Sequence, residues 1–401
     1  MIQKSTLTLM MIAIAAVLLS GCEKVSESIK TLTPDSKSST NIYTSPATTS
    51  DLTGRFVINP QFDWAGDFSE GLAAVRVGDV KTGKQGFIDK QGKFVINPQF
   101  DWAGEFSESL AAVRVGDDKT GKWGFIDKQG RFVINPQFDF ARNFHEELAS
   151  VRVGDDKTGK WGFIDKQGKF VINPQFDDWG DRFSEGLSIV RVKDNKTTKM
   201  GFIDKQGRSV INPQFEWAVG FSEGLASVRV GDDETGKWGV IDKQGKFVIN
   251  PQFDWVGKFS DGLAQVRIGS WETGKKGFID KQGKLTINLQ FNGAESFKEG
   301  LAAIRIGDNK TGKWGFIDKQ GKIVINPQYP PHNRFLAELE FSSGLVAIPI
   351  EQGEKVAWGY IDRSGKVAIQ PQFSDAYKFN DGLARVRIGD DKTGKWGFIS
   401  R

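Results

Sequence analysis

Along residues 54–401, short runs dense in Val, Ile, Phe and Ala are divided by polar clusters of Gly, Asp, Lys and Gln. The runs Leu110-Ala-Ala-Val-Arg-Val115, Trp123-Gly-Phe-Ile-Asp127 and Phe132-Val-Ile-Asn-Pro136 illustrate the pattern. Each is short, rich in β-branched or aromatic residues and bounded by turn residues, which predicts three strands. The second and third are joined by Asp127-Lys-Gln-Gly130. Asp at the first position and Gly at the fourth suit a type I turn, with Gly130 free to take the left-handed conformation of a bulged hairpin. Gly116-Asp-Asp-Lys-Thr-Gly121 reads as a longer polar hairpin loop. Simple antiparallel pairing puts Phe125 opposite Val133 and Ile126 opposite Phe132. Trp123, Phe125 and Val133 then share one face, and Ile126, Phe132 and Ile134 the other. With both faces apolar, each small sheet must be covered on both sides, as propeller blades are.

This unit recurs. Asn-Pro-Gln is marked by Pro60, Pro98, Pro136, Pro174, Pro213, Pro251, Pro327 and Pro371, with Leu289 in the place of one proline. The intervals are 38 or 39 residues, and 44 once. A fixed period of this length signals a repeat architecture, in which each unit buries its apolar surface against its neighbours. Residues 54–401 are therefore read as one all-β array of nine three-stranded meanders, each followed by a connector such as Asp101-Trp-Ala-Gly-Glu-Phe-Ser-Glu108. The array opens on a lone third strand, Arg55-Phe-Val-Ile-Asn59, and closes on a lone second strand, Lys395-Trp-Gly-Phe-Ile399. Joined, they complete one hairpin with Val57 beside Phe398. That predicts a closed, propeller-like ring. An open β superhelix is the alternative, since nine blades exceed the usual four to eight.

The repeated KWGFIDKQGK-x-VINPQF closely resembles the WG-repeat (KWG-repeat) family of bacterial proteins. Trp-Gly is intact at Trp123, Trp161, Trp238, Trp314, Trp358 and Trp396, and the Trp becomes Gln85, Met200 and Lys276 elsewhere. These departures point to locally weaker packing. The resemblance implies a β-rich array with no established catalytic activity and no catalytic residues to transfer.

Composition agrees with an all-β fold: 47 Gly serve turns, and 31 Phe with 12 Trp supply the core. With 54 basic against 50 acidic residues spread evenly, there is no basic footprint, so no nucleic-acid partner is expected. Before the array, residues 1–21 carry Lys4 and an apolar stretch, Leu7 to Leu19, too short to span a bilayer. They end in Leu19-Ser20-Gly21-Cys22, which matches the lipobox of bacterial lipoprotein precursors and implies cleavage before Cys22 and its acylation. Residues 22–53 are rich in Ser and Thr and predict a disordered tether with a reach of roughly 30 Å. The expected address is the cell envelope, with the membrane as a partner through the lipid.

Three apparent motifs dissolve on inspection. Gly116 to Lys122 imitates a phosphate-binding loop, but Trp123 follows in place of Ser or Thr and a strand begins where a helix is needed. Gly220-Phe-Ser-Glu-Gly224 fits a nucleophile elbow but lies in a connector without a His partner. His145 and His332 are the only histidines and the array has no Cys, so neither metal nor cofactor is expected. Recurrent Arg76, Arg114, Arg152, Arg191, Arg229, Arg267, Arg305 and Arg387, with Pro349 in the ninth copy, are read as stacking on a neighbouring aromatic or pairing with an acidic connector, with a basic ring as the alternative. The candidate ligand-binding residues are the connector aromatics Trp64, Trp102, Phe140, Trp179, Trp217 and Trp255, each after an acid. Exposed on one rim they make platforms for sugars or peptide side chains; buried, they plug gaps between copies. An insertion, Tyr329 to Phe341, interrupts the eighth copy. The functional expectation is a non-catalytic lipoprotein that presents an interaction surface for envelope proteins or glycans. A structural spacer and a glycan-active enzyme are the alternatives.

Overall fold

The computed structural model describes residues 54–177, 181–194, 197–232, 234–331, 339–353 and 355–401. The leader, Cys22, the tether, Trp179, His332 and most of the eighth-copy insertion lie outside these residues. Every regular element described is a β-strand, and the strands form nine antiparallel sheets. These are the blades of a closed nine-bladed β-propeller. Blades are numbered from the N-terminus: blade 1 spans 64–100, blade 2 spans 102–138, and blade 9 joins 375–400 to 56–62.

Blade 2 shows how the sequence builds each unit. The predicted meander supplies Ala111–Val115, Lys122–Ile126 and Phe132–Phe138, and the connector adds a fourth, two-residue strand, Trp102–Ala103. Seven blades have four strands; blades 4 and 8 show three. Trp102 pairs with Arg114, and Arg114 with Trp123. At the outer hairpin the simple register fails. Ile126 does face Phe132, but Phe125 faces Ile134, not Val133, and Trp123 faces Phe138. Val133 is an extra residue forced outward, 46% exposed. Asn135-Pro136-Gln137 form a wider bulge opposite the single Gly124. A β-carbon on Gly124 would lie 2.5 Å from the Ile134 carbonyl oxygen and 2.7 Å from the Pro136 nitrogen. The Gly of Trp-Gly and the Pro of Asn-Pro-Gln are therefore two halves of one device. It kinks the outermost strand and leaves a poor edge for pairing with another chain.

Blade 9 closes the ring. Phe56–Phe62 pairs with Lys395–Ser400, with Ile58 opposite Phe398 and Phe56 opposite Ile399. Val57, expected beside Phe398, is displaced by the same bulge and is 43% exposed. The core lies between blades. One cluster joins Trp123, Phe125 and Ile134 of blade 2 to Phe144, Val151 and Ile164 of blade 3, all buried. Phe of each Gly-Phe meets the connector Phe of the next blade: Phe87–Phe106 at 4.8 Å, Phe125–Phe144 at 4.9 Å and, across the closure, Phe398–Phe68 at 4.7 Å. Only between blades 5 and 6 does Val240 replace the first ring, packing with Phe259 in one cluster.

The rim carrying the Ser-Glu-Gly and Asp-Lys-Gln-Gly turns is latched by polar contacts. Ser107 donates its hydroxyl to the Phe144 carbonyl at 2.6 Å. The Glu108 carboxylate accepts the Glu147 N–H at 2.9 Å and pairs with Lys166 at 3.1 Å. Glu108 adopts φ of +53°, a conformation uncommon outside Gly, within a type I′ turn that aims its carboxylate at the next blade. Across the closure Asp381 accepts the Gly71 N–H at 2.6 Å and the Lys90 ammonium at 2.7 Å.

Candidate functional site on the loop rim

The opposite rim carries the Gly-Asp-Asp-Lys-Thr-Gly loops and the starts of the connectors. Asp117 holds its own loop, accepting the Lys119 and Thr120 N–H groups at 2.8 Å. Those are amides that a phosphate would need, so the resemblance to a phosphate-binding loop has no chemical content here. Asp101, ahead of Trp102, accepts the Gly116 N–H at 2.8 Å and pairs with Lys84 of blade 1 at 2.5 Å. The acid before the connector aromatic thus pins loop to connector in blades 1, 2, 3, 5 and 6. Ser222 of the elbow-like stretch donates to the Phe259 carbonyl at 2.8 Å, as the other latch serines do.

Just inside the loops, blades 2, 3 and 5 lay a full row across their strands, connector aromatic, arginine and Trp of Trp-Gly, and the other blades keep part of it. Trp102 and Trp123 lie 4.7 Å apart, and Trp123 and Phe140 of the next blade 4.8 Å. The Arg152, Arg305 and Arg387 guanidinium groups sit 5.9, 5.5 and 5.6 Å from the rings of Trp161, Trp314 and Trp396. Arginines also reach the loop acid four residues on: Arg114–Asp118 and Arg152–Asp156 at 2.5 Å, and Arg387–Asp391. Stacking occurs as the sequence implied, whereas these ion pairs are made with an acid of the arginine's own loop and not with an acidic connector. Where Trp is lost, the replacement does more than fill space. Gln85 accepts the Ala103 N–H at 2.7 Å, and the Met200 sulfur takes the Ala218 N–H at 3.1 Å.

The connector aromatics are not equivalent. Trp102 and Trp217 are exposed, at 38% and 49%, whereas Trp64, Phe140 and Trp255 are half-buried. Trp64, Trp102 and Trp255 fold over Gly66, Gly104 and Gly257 of their own connectors. Trp217 has Val219 in that place, and its ring stands out. Beside it, between blades 5 and 6, opens a cleft of about 660 Å³ walled by Trp217, Trp238, Trp255 and Trp271, with Arg229, Arg267, Glu234 and Asp254 around them. Trp271 was not among the residues singled out from the sequence. Aligning the nine copies by column finds it: blade 6 has Trp271 where blades 2, 3 and 9 have Asp118, Asp156 and Asp391.

The model for the WG containing repeat matches residues 50–80, 86–119, 123–157, 161–196, 200–232, 238–270, 277–310, 314–330 and 358–396. The chain belongs to this family. No curated protein matches it in sequence. Among solved structures, the crystal structure of a eukaryotic initiation factor is 12% identical with a TM-score of 0.56, over 79% of this chain and 89% of that one. The β-propeller domain of the Trilobed protease from Pyrococcus furiosus is 12% identical with a TM-score of 0.40, over 69% and 100%. At such identities the first likeness concerns the fold alone. A WG-repeat propeller suits an interaction or structural role.

The connectors of these WG repeats also line the central channel. Asp67 pairs with Arg385 at 2.7 Å, and Arg385 lies 3.7 Å from the Tyr377 ring centre. Glu105 is exposed, yet its carboxyl is raised above the ordinary range by desolvation and then by Asp67. On the other side, Lys258 of blade 6 faces Arg142, Asp181 and Arg182 across a shared cavity. Burial, aided by Arg182, lowers the pKa of half-buried His145 and favours its neutral form. Asp67 is thus held by Arg385, while the charge of neighbouring Glu105 is disfavoured on the wall of the ring.

Proposed function

We propose that this WG-repeat protein is a non-catalytic binding propeller held at the cell envelope by lipid on Cys22, with glycan as the ligand of its loop rim. The observation that carries the binding reading is the exposure of Trp217 at 49% beside a cleft with three further indoles. Flat aromatic faces combined with Arg, Asp and Glu at their edges supply stacking for sugar C–H faces and hydrogen bonds for hydroxyls. The address rests on Leu19-Ser20-Gly21-Cys22. No partner of nucleic-acid character is proposed, given near-equal acidic and basic content. Two measurements test this. Cys22→Ser is expected to abolish incorporation of a palmitate analogue and to release the protein from the membrane fraction; retention with label would reject the anchor. A glycan array probed with the full chain is expected to give signals that Trp217→Ala weakens about fivefold or more, since a stacked aromatic contributes on the order of 1 kcal/mol or more. No signal on any glycan would reject the binding reading.

A further inference from the structure

Blade 6 departs from its sister blades at three positions that meet at one spot. The loop acid that pairs with the row arginine in blades 2, 3 and 9 is replaced by Trp271. The Trp of Trp-Gly is replaced by Lys276. The loop's capping Asp is replaced by Ser270, whose hydroxyl takes over by accepting the Thr273 N–H at 3.1 Å. The consequence falls on Arg267. It is 8% exposed, lines the cleft between blades 5 and 6, and stacks 4.7 Å from the Trp271 ring centre. Its Nη2 reaches only the Asp254 carbonyl at 3.5 Å, and Nε and Nη1 have no partner. Unpartnered Nε atoms occur on other row arginines too, among them Arg114, Arg152 and Arg387, but the unpartnered Nη1 is particular to Arg267 among the described residues. Lys276 adds a second cation 5.7 Å from the Trp271 ring and 6.0 Å from that of Trp255. At the positions that differ, blades 2, 3 and 9 carry two Asp and one Lys where blade 6 carries Glu272 and Lys276, so blade 6 is more positive by one charge and its row arginine has lost its paired acid. A buried guanidinium with unpaired donors is costly, and a carboxylate is the partner whose geometry matches its planar fork.

We propose that the blade 5–6 cleft binds an acidic sugar, a pyranose bearing a carboxylate. The carboxylate pairs with Arg267 in the place of the missing loop acid, and Trp271, Trp255 and Trp217 stack on the ring and its neighbour. This deepens the glycan reading above and rests on it. Glu234, on the blade 5 side of the cleft, is placed to accept ligand hydroxyls, which orients the carboxylate toward blade 6. The cleft lies within the size range that encloses a drug-sized ligand, which a disaccharide fills.

The test titrates the full chain with digalacturonic acid, with neutral diacetylchitobiose and with a short peptide ending in a free carboxylate, following tryptophan fluorescence and heat. Digalacturonic acid is expected to bind at least tenfold more tightly than either other probe, with an affinity that falls as salt rises. Trp271→Asp restores the sister-blade acid at a residue 71% exposed, so it should leave the thermal midpoint unchanged or higher while weakening the acidic sugar at least tenfold. Trp271→Phe should retain most binding. Equal binding of acidic and neutral sugars would overturn the carboxylate assignment and leave the glycan reading standing. Preference for the peptide would overturn both, as would binding of no probe together with an empty glycan array. Undiminished binding by Trp271→Asp would place the site elsewhere and overturn the proposal.

Discussion

The two rims of this propeller are made by the same nine repeats, yet they have diverged to different degrees. On the turn rim the latch is repeated almost without change. Glu70, Glu108, Glu146, Glu185 and Glu223 each accept a backbone N–H of the next blade, as do Asp261, Glu299 and Asp381, and blade 8 has Ser343 in that place. On the loop rim the row of aromatic, arginine and Trp is kept in outline, but single positions drift to Val80, Gln85, Met200, Trp271 and Lys276. A position that holds two blades together is constrained from both sides. A position that faces solvent is constrained only by what it must meet. Regularity on one rim thus reports ring stability, and irregularity on the other marks where a ligand can be distinguished.

The largest effects should come from cutting the interblade core. Removing Phe56–Phe62 takes Ile58 and Phe62, both buried, out of blade 9 and opens the ring. From the transfer of those two side chains alone, about 3–6 kcal/mol is lost, and urea denaturation is expected to show a collapsed midpoint. An unchanged midpoint would mean that the array stands as an open spiral. Phe106→Ala, which leaves Phe87 without its ring partner at 4.8 Å, should cost about 3–5 kcal/mol in the same assay.

A smaller effect comes from the turn-rim carboxylates. Asp381 is held below the ordinary carboxylate range, first by the Lys90 hydrogen bond and then, against burial, by the Gly71 N–H. The unfolded chain therefore takes up that proton at higher pH than the folded one. Its stabilisation is complete above the unfolded value of about 4 and is lost as pH falls through the folded one. Asp127 on the same rim and Asp117 on the loop rim behave alike. Burial raises Asp127, but the Arg131 backbone and side-chain bonds outweigh it; for Asp117 the Thr120 N–H leads. The urea midpoint should fall steeply below pH 4. Asp381→Asn should cost about 1 kcal/mol at neutral pH and flatten that slope; an unaltered slope would show the latch to be inert.

Much of this architecture was legible because period and patterning report directly on repeat structure. The permuted ends, Arg55 to Asn59 and Lys395 to Ile399, gave the closure. What patterning could not show was the bulge. Alternation counts residues, and it cannot tell that Asn135-Pro136-Gln137 bow outward over Gly124, which moved Val133 to solvent and put Ile134 against Phe125. The two-residue inner strand was hidden for a related reason: Trp102–Ala103 is too short to show alternation, and its pairing is decided by Arg114 and Val113 across the gap. At the site, residue type pointed to the connector aromatics, but not to which of them are exposed. Trp217 stands out beside Val219 and Trp255 folds over Gly257, yet Trp102 folds over Gly104 and is still 38% exposed, so the residue beneath the ring does not by itself set exposure.

Between the rims, Glu105 offers the finest test of where constraint ends. It is a connector residue on the channel wall, with Asp67 raising its carboxyl and Arg385 and Lys378 lowering it, after desolvation, which leads. A carboxyl raised in the folded state binds its proton more tightly there than in the unfolded chain. Its charge therefore opposes folding above the folded value, and stability is regained as pH falls through it. Glu105→Gln removes the charge and keeps the shape, so at neutral pH it should stabilise the protein by no more than about 0.5 kcal/mol, the range of surface substitutions. The gain over the parent should shrink as pH is lowered from neutral toward the carboxyl's raised value in urea titrations. If Glu105→Gln instead destabilises the protein at pH 7, the pairing with Arg385 and Lys378 dominates, and the channel wall is held by ion pairs as the turn rim is.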